Sequence, residues 1–138
     1  MAAFNKFNSF VEDLAEKVHN LGADSIKVML TNIAPVAANT VYANLIDLAT
    51  AGGYTSGGNI CAITSSAQTA GTYKLVLVDS VFTATTGFGP FRYAALYNDT
   101  ALSKQLIGWY DYGSAVTLLA LETFTVDFDG AAGVITIV

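Results

Sequence analysis

Thr123-Phe124-Thr125-Val126-Asp127-Phe128 alternates without a break. In an extended chain Phe124, Val126 and Phe128 fall on one side and Thr123, Thr125 and Asp127 on the other, because successive strand side chains point to opposite faces. Such a strand buries one face and wets the other. Short apolar runs of the same kind recur upstream and downstream, at residues 60–65, 72–79, 81–84, 91–97, 105–112, 122–127 and 134–138. Gly71, Gly87, Gly89-Pro90, Asn98-Asp99, Gly113-Ser114 and Asp129-Gly130 punctuate them as turn residues. Many short strands at this spacing predict a mainly β fold, a sandwich or a barrel; the fold expected is an antiparallel β-sandwich of jelly-roll type. The run at 105–112 is apolar on both sides, so its strand is covered either twice within the domain or once by another subunit.

The first 22 residues read differently. Phe4, Phe7, Val11, Leu14, Val18 and Leu21 are spaced three, four, three, four and three apart, which places all six on one stripe of a helix. One N-terminal amphipathic helix is therefore expected over 1–22, with Ser9 and Glu12 at capping-box spacing and Gly22 as its stop. Residues 23–58 read as mixed strand and loop: a strand at 26–30, a break at Pro35, one or two helical turns between Asn39 and Ala49, and a flexible glycine-rich loop at 51–58. Residues 59–138 supply the sandwich. At 138 residues the chain is expected to form a single domain.

Charged residues make up only 12% of the chain, about half the usual share, so its surface is poorly defended against association. The longest apolar stretches fall short of a bilayer-spanning helix. Asn5, Lys6, Asn8 and Glu12 interrupt the N-terminal apolar residues, unlike the core of a secretory signal. Cytosolic synthesis without membrane insertion is expected. The net charge is −5 and the six cations Lys6, Lys17, Lys27, Lys74, Arg92 and Lys104 are scattered, which argues against a nucleic-acid partner.

Chemistry is thinly represented. Cys61 is the only cysteine, so neither an internal disulfide nor a cysteine-based zinc cluster can form, and it reads as a small buried hydrophobe. His19 is the only histidine and reads as a solvated helical residue. Asp111, Asp127 and Asp129 are carboxylates in an aromatic-rich region, but each sits where a strand face or turn explains it. The loop at 51–58 lacks the lysine and spacing of a phosphate-binding loop, and Asp127-Phe128-Asp129-Gly130 lacks the glutamate that would complete a calcium loop. We therefore expect no enzyme, no catalytic residues, no metal and no cofactor. Phe4, Phe7, Phe88, Phe91, Tyr93, Trp109, Tyr110 and Tyr112 are the candidate interface residues; Trp109, Tyr110 and Tyr112 are also the rings on which a carbohydrate-binding module would stack sugars.

Several separated segments carry a resemblance. Gly89-Pro90-Phe91-Arg92-Tyr93, Tyr97-Asn98-Asp99-Thr100 and Leu106-Ile107-Gly108-Trp109-Tyr110-Asp111-Tyr112-Gly113 look like small virion proteins of tailed bacteriophages. So do Phe4-Asn5-Lys6-Phe7, Leu21-Gly22-Ala23-Asp24 and Glu122-Thr123-Phe124-Thr125-Val126-Asp127-Phe128, in the same order along the chain. The resemblance implies a capsid cement or decoration protein that binds the major capsid protein and copies of itself, as a homo-oligomer on the capsid surface. A tail, neck or fibre component, or a receptor-binding module, is the alternative.

Overall fold

The computed structural model describes residues 2–138. It is mainly β, and every strand pairing is antiparallel. The strands are β1 (Phe4–Lys6), β2 (Ile26–Thr31), β3 (Asn59–Cys61), β4 (Ile63–Thr69), β5 (Thr72–Leu77), β6 (Ser80–Thr83), β7 (Gly87–Asn98), β8 (Leu106–Leu119), β9 (Thr123–Val126) and β10 (Ile135–Ile137). They form a five-stranded sheet ordered β1-β8-β7-β2-β3, a three-stranded sheet β10-β5-β4 and a pair β6-β9. The run from Thr123 to Phe128 behaves as its alternation requires: Val126 and Phe128 are buried and Phe124 partly so, while Thr123, Thr125 and Asp127 are exposed.

The expected N-terminal helix is a correction. Helix α1 covers only Phe10–Ala15. Phe4–Lys6 is instead strand β1, which pairs with β8 in the register Phe4 to Tyr110 and Lys6 to Gly108. A short amphipathic segment forms an isolated helix only marginally, so pairing along a sheet edge can override its periodicity. Phe4 and Phe7 consequently enter different cores rather than sharing a stripe. The helix also stops before Gly22. Lys17 takes φ +67°, its N–H bonds the Leu14 carbonyl and the Val18 N–H bonds the Asp13 carbonyl, a left-handed cap of Schellman form. Ser9 makes no side-chain capping bond.

The five-stranded sheet is covered on both faces by its own chain. On one face Val28, Leu30, Ala94, Leu96, Ile107 and Tyr110 join a core that also takes Leu75, Leu77 and Ile135 from the three-stranded sheet and Phe82 and Val126 from the β6-β9 pair. On the other, Met29, Ala95, Tyr97 and Leu106 pack with Phe7, and Tyr42, Leu45 and Trp109 close over them. The pairing of β7 with β8 shifts between Leu96–Gly108 and Tyr97–Leu106, placing an extra residue in β8. That bulge sends Ile107 to the first face and Trp109 to the second, whereas uninterrupted alternation would put both on one face.

The helical turn expected between Asn39 and Ala49 is a single 3-10 turn at Tyr42–Asn44. The glycine-rich loop is not loose. Tyr54 is buried within it, and the Gly52 carbonyl accepts the N–H groups of Thr85, Thr86 and Gly87.

Candidate functional site

Most of the eight aromatic candidates are structural. Phe7, Phe88, Phe91, Tyr93 and Tyr110 are buried within the chain, which removes them as surface a partner could touch and corrects their selection as interface residues. Phe4, Trp109 and Tyr112 are half-buried. Trp109 lies on Phe7 with ring centroids 4.6 Å apart, Phe4 on Tyr110 at 5.4 Å, and Tyr112 meets Phe124 edge-on at 4.9 Å. Burial pushes the Tyr112 hydroxyl up to about 12 and that of Tyr110 higher. Trp109, Tyr110 and Tyr112 therefore do not present one open stacking plane.

The carboxylates singled out in the sequence are held locally and apart. Asp111 forms a two-pronged pair with Arg92, Nε at 2.7 Å and a terminal nitrogen at 3.0 Å, and also accepts the Gly113 N–H. The guanidinium and that N–H hold its carboxyl below the usual range. Asp129 accepts the N–H groups of Ala132 and Ala131, which lower it in the same way. Asp127 stands exposed on the polar face. Cys61 is buried, and burial raises its thiol to about 12, leaving it protonated and unreactive at neutral pH. Among the described residues no group of three or more His, Cys, Asp or Glu is placed to hold a metal ion, and no helix is long and apolar enough to cross a membrane.

Two polar centres were not legible in the sequence. Asp47 lies between Ile46 and Leu48, and its carboxylate accepts the hydroxyls of Tyr42 (2.6 Å), Tyr54 (2.5 Å) and Ser56 (3.0 Å) and the Gly57 N–H. Tyr54 in turn accepts the Leu30 N–H, and Tyr97 donates to the Gly57 carbonyl. Burial, reinforced by the bond to Asp47, raises the Tyr42 hydroxyl to about 12. This knot ties the glycine-rich loop to β2 and β7.

The second centre corrects the reading of His19, which is buried rather than solvated. The Asn98 side-chain oxygen Oδ1 accepts the N–H groups of Thr100 and Ala101, so its Nδ2 faces His19 Nδ1 at 3.1 Å and Asp24 at 2.6 Å. Nδ1 must then be the acceptor, which puts the proton of the neutral ring on Nε2. Burial lowers the His19 pKa, against the opposing pull of Asp13 and Asp24.

The surface carries several apolar patches. Two adjoining clefts that share Leu14 and Ile137 make up a groove between α1 and β10: one is lined further by Val11, Phe4 and Val138, the other by Val18, Tyr73, Asn20 and Asp24. Strand β10 has no neighbour on its outer edge. Lys6 and Lys17 stand at the groove, and among the described residues neither side-chain ammonium has an ion-pair or hydrogen-bond partner. Lys27, Arg92 and Lys104 are ion-paired, and Lys74 bonds the Ala131 carbonyl. Elsewhere Ile33, Val36, Ile46, Ile60 and Leu102 are exposed, as are Leu119 and Leu121 at the turn between β8 and β9. Comparison with protein-family models, with curated proteins and with solved structures finds no match for this chain.

Proposed function

We propose that the chain is a structural subunit of a tailed-phage virion. It sits on the capsid surface as a cement or decoration protein, binding the major capsid protein and copies of itself after synthesis in the cytoplasm of the bacterial host. The observation that carries this reading is the distribution of exposed apolar side chains. They occur at the α1–β10 groove, in the 33–36 and 46 region, at Ile60 and at the β8–β9 turn, on a chain with few charges to keep neighbours away. A module for one ligand needs one such surface. A subunit that joins several neighbours needs several, and each adds buried area without any chemistry.

The same reading takes the fold as an antiparallel β-sandwich of jelly-roll type. The five-stranded sheet is one layer, and the three-stranded sheet with the β6-β9 pair is the other. The single core drawn from all three sheets supports that layering.

Mass spectrometry of gradient-purified particles tests the proposal. The chain is expected in fixed proportion to the coat protein, and particles made without it are expected to release their genome at lower temperature. Recovery with isolated tails alone would move it to the tail, neck or fibre. Absence from particles would overturn the virion assignment.

A further inference from the structure

We infer that the α1–β10 groove receives the β8–β9 turn of a second copy, so that the protein associates head to tail. The inference rests on the reading of the chain as a self-associating structural protein and assigns the surfaces that do it.

The turn has the features the groove lacks a partner for. Leu119 and Leu121 are 67% and 83% exposed, and Glu122 follows them at the surface. One Glu122 oxygen accepts the Leu119 N–H at 2.8 Å, which rigidifies the turn and leaves the other oxygen available. Leu121 has φ +69°, a conformation that suits glycine or asparagine and strains leucine. Strain and exposure both count against leucine there within an isolated chain. Apolar contact outside the chain would offset them.

The groove offers apolar walls with Lys17 at one end, beside Asp24, and Lys6 at the other, the two cations whose side chains have no partner among the described residues. Two leucines followed by a carboxylate match apolar walls with lysines. The two surfaces cannot meet within one molecule. Phe4 at the groove is in register with Tyr110, and Tyr110 with Ala94, whereas Leu119 is in register with Gly87. The seven residue steps along β7 from Gly87 to Ala94 span roughly 20 Å. Contact between unlike surfaces is heterologous, and its repetition gives a ring or an open row of subunits.

Sedimentation velocity on four proteins tests this. The wild type is expected to form larger species as concentration rises to about 1 mM, beyond the dissociation constants of weak specific contacts. Leu121→Asp in the turn, and Val11→Asp with Lys17→Glu in the groove, should each weaken association at least about tenfold. Leu121→Gly should do the same without lowering the melting temperature, which separates lost contact from lost fold. Mixing the turn variant with the groove variant should restore one intact contact and give a 1:1 pair that grows no further. A monomeric wild type, association indifferent to these substitutions, or a mixture that fails to pair would overturn the inference. Such a failure would leave particle binding intact, whereas absence from particles would leave this contact intact.

Discussion

Asp47 gathers four donors from a stretch of sixteen residues, Tyr42, Tyr54, Ser56 and Gly57, and so replaces the apolar contacts that a glycine-rich loop cannot make. Asp47→Ala leaves those donors without their acceptor and should destabilise the fold by about 2–4 kcal/mol, read from the denaturant midpoint at unchanged slope. Tyr54→Phe removes the acceptor of the buried Leu30 N–H as well and should cost about 1–3 kcal/mol. His19 links the fold to pH. Its folded-state pKa lies below the ordinary 6.5, so under mildly acidic conditions the unfolded chain binds the proton more readily. Stability contributed by neutral His19 is complete above 6.5 and is lost as pH falls from there toward the folded-state value. The melting temperature should therefore fall between pH 7 and about 5.5. His19→Asn, which keeps an acceptor for Asn98, should flatten that slope; an unchanged slope would place the effect elsewhere.

Close approach of elements sets the glycines apart. A methyl group at Gly58, φ +74°, would overlap the Val28 carbonyl, whereas at Gly71, φ +82°, it would meet nothing. Gly58→Ala should thus destabilise by more than about 3 kcal/mol and Gly71→Ala by about 1 kcal/mol, the conformational part alone, in paired denaturation curves. The strands at β5, β6, β7 and β9 were legible because runs such as Phe124-Thr125-Val126 carry their own period, and Gly71 and Gly87 mark turns. The N-terminal segment misled because its period of three and four is also met by residues that alternate between two cores: Phe4 packs on one side of the five-stranded sheet and Phe7 on the other. The left-handed Lys17 that ends α1 carries no compositional signal. Nor does the β8 bulge, which sends Ile107 and Trp109 to opposite faces although they lie two residues apart. The aromatic candidates between Phe88 and Tyr112 were chosen for size, and size serves a core as well as an interface. The groove escaped notice because it joins Val11 and Leu14 to Ile137, residues more than 120 positions apart.

Across the whole molecule, 53% of the residues are hydrophobic and the core holds only part of them. The remainder is spread over the groove, the 33–36 and 46 region, Ile60, Leu102 and the β8–β9 turn, while the charges are few and half of the cations are already ion-paired. Such a surface suits a subunit covered by neighbours. The central claim, that the chain works as a capsid-bound structural subunit, is tested most directly by cryo-microscopy of the intact particle. Density for this fold is expected over the joints of the coat lattice, with the exposed leucine turn of one copy against the α1–β10 groove of the next. A particle whose coat lattice carries no such density would contradict it.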